Sequence, residues 1–298
     1  MPNPPRRFRF VQVDVFTTKV FEGNSLAVFP DARGLSDAEM QAVAREMNLS
    51  ETTFVLPRDP GTEREQGQRV RIFTVAEELP FAGHPTLGSA FVLRGDSGAD
   101  LINLHLNVGN IPVKFRTDEH GLSFGQMRQR DPEFGPTHSR KDVARAIGLA
   151  PDEIEADLPI QDVSTGLPFV IVPLRRLKTI QSLRLDFNRA LEYLGASKPP
   201  RFFYFVCRET VDPAARIHAR MIFYNGEDPA TGSAAGCAAS WMVRHGVARS
   251  GESVIIEQGI EMHRPSCIVV CASLHDDRVV NVDVGGNCVE VLRGEIAL

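Results

Sequence analysis

Two segments of this chain repeat one pattern. AGHPTLGSA at 82–90 and TGSAAGCAA at 231–239 each set glycine and other small residues where a loop runs into a helix. One such junction in each half predicts two similar halves, which tend to pack about a pseudo-twofold axis with equivalent loops facing one cleft. With 298 residues the chain is long enough for each half to bury its own core. The polar, Pro/Gly-marked stretch RQRDPEFGP at 128–136 is the best place for a boundary. It divides the chain into residues 1–128 and 129–287.

The pattern of residues alternates strands and helices within each half. FRFVQVDVF at 8–16 alternates apolar and polar residues as a strand does, and Leu26 to Phe29 begins another. Ser36 with Glu39 three residues on forms a capping box, and Met40, Val43, Ala44 and Met47 give its helix an apolar stripe that ends near Asn48. TTFVL, RVRIFT and segments near 101–106, 111–116 and 121–127 read as strands, and Pro85 suits a helix start. Beyond the boundary, helices are predicted at 140–147 and 186–194. Strands are predicted at 160–164, 168–173, 202–207 and 215–224. DPATGSAAGCAASWMVRHG turns sharply into a helix ending at Gly246, and four strands close the chain, at 253–258, 266–272, 278–284 and 288–293.

Composition narrows the function. A formal net charge of −5 with no basic stripe argues against a nucleic-acid partner. MPNPPRRFRF has no apolar run behind its basic residues, and no stretch reaches membrane-spanning length, so a cytoplasmic location is expected. Five cysteines, all in the last third, are an odd number, which argues against a disulfide framework. Cys267 and Cys271 are separated by three residues within a strand, which reads as buried cysteine and not as zinc spacing. There is no GxxxxGK[ST], no GxGxxG after the first strand, no GxSxG and no HExxH, so nucleotide, nucleophile-elbow and zinc chemistry are disfavoured. No metal and no cofactor is expected.

The two junctions carry the remaining candidates. A helix start presents unpaired N–H groups and the positive end of the helix dipole, and glycine lets a ligand approach closely. Gly83-His84 and Gly232-Ser233 therefore read as two carboxylate cradles, or as glycines that let helices pack tightly on a sheet. His84 at a helix start is expected neutral, either as a donor or acceptor for a ligand or as a side chain that satisfies local backbone groups. Asp228 and Ser233 equally suit a turn or cap residue and a small helix-start residue. Glu51, between a helix end and an apolar strand, is either a solvated carboxylate or a partly buried general acid–base. Glu77 and Glu78 rank below it as a solvated pair in a polar loop.

Together the strings AREMNLSETTFVL, RIFT, ELPFAGHPTLGSA, EDPATGSAAG, RHG and QGIEMHRPS occur in the order found in the phenazine-biosynthesis isomerase (PhzF-like) family, which this chain resembles over nearly its whole length. The resemblance implies an α+β, diaminopimelate-epimerase-like fold. In it two similar domains each wrap a curved, mostly antiparallel sheet around a central helix, and the last strand, near 288–298, joins the first domain. It implies that Glu51 is the catalytic acid–base, with His84, Asp228, Ser233, Gly83 and Gly232 binding substrate. The implied reaction shifts a proton and a double bond in trans-2,3-dihydro-3-hydroxyanthranilate or a similar small cyclic amino acid. A homodimer is also implied.

The chain departs from its parents and relatives in places. Diaminopimelate epimerases and proline racemases carry a reactive cysteine at the head of each central helix, where this chain has Ala82 and Thr231. Gly23-Asn24-Ser25 replaces the family's GNP, Val75 the proline of RIFTP, and His263 the glycine before RPS. FYNGED before Asp228 is short. These changes leave open a different isomerase or epimerase on the same scaffold, or a binding protein without turnover.

Overall fold

The computed structural model describes residues 5–118, 120–195, 201–223 and 226–298. The chain divides into two compact units, residues 1–127 with 285–298, and residues 128–284.

The first unit runs β1 (Arg7–Val15), β2 (Asn24–Phe29), α1 (Asp37–Met47), β3 (Glu51–Val55), α2 (Pro60–Gln66), β4 (Gln68–Phe73), β5 (Glu78–Leu79) and α3 (Gly83–Arg94). Then come β6 (Leu101–Leu106), β7 (Gly109–Thr117) and β8 (Ser123–Arg128). Strands pair in the order β1–β2–β3–β4–β6–β7–β8, antiparallel except at β2–β3 and β4–β6. A parallel neighbour requires a crossover, and helices supply it: α1 between β2 and β3, α3 between β4 and β6. The end of the chain pairs with β1, Ala297 opposite Arg7. α3 packs on β1, β2, β3, β6 and β7 and is buried from Gly83 through Ala90. Gly88 makes that approach possible, since a Cβ there would lie 2.7 Å from Leu26 Cδ2.

The second unit runs β9 (Glu133–His138), α4 (Arg140–Ile147), β10 (Ile160–Ser164), β11 (Pro168–Leu174), α5 (Leu177–Ser182), α6 (Phe187–Leu194) and β12 (Phe202–Cys207). It continues with β13 (Ala215–Phe223), β14 (Gly226–Asp228), α7 (Gly232–Arg244), β15 (Val254–Gln258), β16 (Ser266–His275) and β17 (Arg278–Ala297), whose end returns to the first unit. The order β10–β11–β12–β13–β15–β16 repeats the first unit, with parallel pairs at β11–β12 and β13–β15. Helices α5 and α6 cross the first of these pairs and α7 the second. The repeat reaches side chains: Arg71 on β4 grips Glu78 on β5 through Nε at 2.8 Å and Nη2 at 2.5 Å, and Arg220 on β13 grips Glu227 on β14 at 2.8 and 2.7 Å. The architecture is the α+β, epimerase-like one expected, with a central helix in each unit.

Local expectations hold where chemistry is local. Ser36 and Glu39 close the capping box on α1, and Asn48 ends that helix in the left-handed region at φ 51°. Met40, Val43 and Ala44 are buried against Phe29, Phe54 and Phe73. Other expectations need correction. The last two predicted strands are one, β17, of 20 residues. Gly285 does not turn the chain; a Cβ there would meet Gly125 O at 2.5 Å, so the glycine serves close packing. Part of the polar boundary stretch is strand β9, and α2 and α5 were not anticipated. Cys267 is exposed and Cys271 half-buried, because both take the outward positions of β16 while Ser266, Ile268, Val270 and Ala272 face in. Residues 1–4 of the N-terminal segment, Tyr224 of the strand expected at 215–224, and Tyr224-Asn225 of FYNGED lie outside the described residues. No described helix is long and apolar enough to cross a membrane.

Candidate active site

In the first unit the sheet delivers two side chains to the start of α3. Asn24 opens β2 and Glu51 opens β3; these strands are parallel neighbours, with Leu26 opposite Glu51. Gly23 makes the turn into β2 at φ +67°, and a Cβ there would lie 2.3 Å from Val15 O, so no other residue fits. His84 stands in the first turn of α3, 4% exposed. Its Nδ1 lies 3.2 Å from Asn24 Nδ2, and its Nε2 lies 3.3 Å from Glu51 Oε2. The Glu51 side chain is only 16% exposed, so it is partly buried and not solvated.

Burial pushes the His84 pKa down to about 3, so the ring is neutral at physiological pH. A neutral imidazole carries one N–H. With the Asn24 amide donating to Nδ1, that proton is on Nε2, the nitrogen nearer Glu51, although the 3.3 Å contact lacks hydrogen-bond geometry. The contact is therefore not an ion pair: Glu51 faces a neutral donor. Ala82, at the N-cap, has no side chain able to cap the first turn.

Glu78, ranked low as solvated, is half-buried and gripped by Arg71, with Asn107 donating to it at 2.9 Å. The Arg71 hydrogen bonds hold its carboxyl below the usual range, and the pair fixes β5 on β4. Glu77 is exposed.

In the second unit Thr231 is the N-cap of α7, and its hydroxyl also leaves the first turn uncapped. That hydroxyl donates instead to Asp228 Oδ2 at 2.6 Å. Asp228 is thus neither N-cap nor bare turn residue but a half-buried acceptor at the end of β14. Gln258, fully buried at the end of β15, donates through Nε2 to Asp228 O at 2.7 Å and Thr231 Oγ1 at 3.0 Å. Its Oε1 accepts from the Tyr204 hydroxyl at 2.9 Å and from Thr231 N at 3.3 Å. Ser233 is half-buried, one residue past Gly232, whose carbonyl accepts from Gln129 Nε2 at 2.9 Å. Gly236 leaves room for Gln129, whose Oε1 would lie 1.9 Å from a Cβ there.

No cysteine occupies either helix head. Cys237, inside α7, is buried, and burial pushes its thiol up to about 11, which leaves no thiolate near neutral pH. Among the described residues, no group of three or more His, Cys, Asp or Glu is placed to hold a metal ion.

The structure thus groups Glu51 with His84 in one unit, and Asp228 with the α7 start in the other. Sequence reasoning passed over Asn24, Tyr204 and Gln258 as working residues. Asn24 was visible only as the middle of an altered GNP turn, and Gln258 only as the head of QGIEM; Tyr204 gave no signal, being one aromatic in an apolar strand.

Residues 13–294 match the family model described as phenazine biosynthesis-like protein. An uncharacterized isomerase of Mesorhizobium japonicum is 40% identical, covering 96% of this chain and 98% of that relative. The trans-2,3-dihydro-3-hydroxyanthranilate isomerase of Pseudomonas chlororaphis is 34% identical, covering 97% and 99%. Among solved structures, a phenazine biosynthesis protein of the PhzF family from Bacillus anthracis superposes with a TM-score of 0.87 at 28% identity, covering 98% of this chain and all of that one. A hydroxyproline epimerase from Agrobacterium vitis shares the fold, with a TM-score of 0.60 at 11% identity and coverage of 98% and 93%. The chain belongs to the phenazine biosynthesis-like protein family and is an isomerase of that family.

Proposed function

We propose that this isomerase shifts a proton and a double bond in trans-2,3-dihydro-3-hydroxyanthranilate or a similar small cyclic amino acid, with Glu51 as the general acid–base and without metal or organic cofactor. The observation that carries this reading is the 3.3 Å approach of Glu51 Oε2 to a neutral, buried His84. A cationic partner would tie the Glu51 carboxylate up as an ion pair; a neutral imidazole at this distance does not. Glu51 then takes the proton from the carbon bearing the hydroxyl and returns it at another ring carbon, and the resulting enol becomes a ketone. His84 and the first-turn N–H of Gly83 hold polar groups of the substrate. Asp228, Ser233 and Gly232 N–H bind its remaining amino, hydroxyl or carboxylate groups, as the family resemblance implies.

A second reading, a different isomerase substrate on the same scaffold, is favoured by one observation. The uncharacterized isomerase of Mesorhizobium japonicum is more similar to this chain than the Pseudomonas chlororaphis enzyme, at 40% against 34%. Proton NMR of trans-2,3-dihydro-3-hydroxyanthranilate incubated with the protein separates the two: conversion to the shifted isomer supports the first, and an unchanged spectrum supports the second. A cytoplasmic homodimer completes the proposal, and light scattering giving the mass of one chain removes the dimer.

A further inference from the structure

Asp228 sits at the end of a chain of buried hydrogen bonds whose direction is fixed by one backbone N–H. Tyr204 is fully buried on β12, and its hydroxyl has Gln258 Oε1 at 2.9 Å. Gln258 Oε1 also faces the Thr231 backbone N–H at 3.3 Å, a group that can only donate. The oxygen of the Gln258 amide is therefore committed on that side, and its NH2 must point the other way. There it meets two acceptors, Asp228 O at 2.7 Å and Thr231 Oγ1 at 3.0 Å. A hydroxyl that accepts from Gln258 has its single proton left to give, and Asp228 Oδ2 is 2.6 Å away. Each step leaves the next no choice. The loop cannot slip out of this arrangement easily, because Gly259 after Gln258 lies so close to Pro229 that a Cβ would be 2.5 Å from Pro229 O.

We infer that Thr231, oriented by Gln258 and Tyr204, is a positioning residue that holds Asp228 Oδ2 as a hydrogen-bond acceptor, so that the substrate group Asp228 receives is a donor, an N–H or an O–H. The inference rests on the proposed reading, in which Asp228 binds substrate, and it assigns Asp228 to a donor group of that substrate and not to its carboxylate. It also explains what replaces the cysteine at this position. The head of α7 presents a hydroxyl turned toward a carboxylate instead of a thiol turned toward a carbon acid.

The test uses the full chain with Thr231→Val, which keeps the shape and removes the hydroxyl, and Thr231→Ser, which restores it. Carbon-13 carboxyl NMR of the free protein follows Asp228 through a pH titration. A carboxylate that loses a donor protonates more readily, so the Asp228 midpoint moves up in Thr231→Val and stays in place in Thr231→Ser. On trans-2,3-dihydro-3-hydroxyanthranilate, Thr231→Val raises KM about tenfold with a smaller change in kcat, and Thr231→Ser stays within about threefold of the native protein; a charge-assisted hydrogen bond is worth about that much. Asp228 titrating alike in both variants, or the two sharing one KM, overturns the inference. If instead Glu51→Gln isomerises at the native rate while the titrations still differ, the proposed catalysis is wrong and the ordering of Asp228 stands.

Discussion

The starts of α3 and α7 are one backbone device built twice and equipped differently. Both follow a short strand clamped by an arginine–glutamate pair, both lack a side-chain N-cap, and both begin at glycine. At α3 the surrounding groups are Glu51, Asn24 and a buried neutral histidine; at α7 they are Asp228, Thr231, Gln258 and a buried tyrosine. A repeated fold supplies the same N–H donors to each junction, with a carboxylate beside a neutral histidine at one and a carboxylate held by a threonine hydroxyl at the other.

Two buried histidines sharpen the contrast. His84 is kept neutral by burial alone. Burial opposes charge most strongly at His218 too, but the carboxylates of Glu257, hydrogen-bonded at 2.8 Å, and Glu261, 3.1 Å away, outweigh it and raise its pKa to about 9. One unit buries a neutral histidine at its site; the other buries a charged one on β13, between Glu257 and Glu261. His218→Gln should therefore cost about 3–5 kcal/mol at neutral pH by leaving two buried carboxylates without their cation, read by denaturant unfolding. An unchanged midpoint would show the two histidines to be equivalent.

Asn24→Ala comes next in size. It leaves His84 Nδ1 without its donor and frees the ring to hold its proton on either nitrogen, so the proton facing Glu51 is lost part of the time. A cost of about 1–3 kcal/mol corresponds to a kcat roughly 5- to 150-fold lower; native kcat in the variant breaks the tautomer argument. The pH dependence of stability follows with opposite signs. His84 binds fewer protons folded than unfolded between its ordinary 6.5 and about 3, so its contribution is complete above 6.5 and is lost as pH falls through that window. His218 binds more protons folded, so its contribution is complete below 6.5 and is lost as pH rises toward about 9. His84→Gln should flatten only the acid limb and His218→Gln only the alkaline one. The smallest effect is at the helix head: Ala82→Ser adds the missing cap and stabilises the protein by about 1 kcal/mol, while raising KM because a side chain now occupies the first-turn N–H groups. A stabilised variant with unchanged KM would show that those groups do not bind substrate.

Elements set by neighbours in sequence were legible without a structure. Ser36 and Glu39 announce a helix by themselves, and the repeat of small residues at 82–90 and 231–239 marks both central helices. What stayed hidden depends on contacts between distant residues. Residues 285–287 read as a break between two strands until Gly125 is brought beside Gly285, and Glu78 looks solvated until β5 pairs with β4 under Arg71. Glu51 and His84 were named singly, each with an ordinary alternative; only the parallel pairing of β2 with β3 shows why Asn24 and Glu51 meet one ring. The order of protons from Tyr204 to Asp228 has no sequence signature, because the buried network belongs to three strands and a helix start together.

The most direct test of the account is turnover of trans-2,3-dihydro-3-hydroxyanthranilate by Glu51→Gln, with folding of the variant checked by circular dichroism. Loss of general acid–base catalysis predicts a kcat about 10²- to 10⁴-fold below the native protein. A folded Glu51→Gln that isomerises the substrate at the native rate would contradict it.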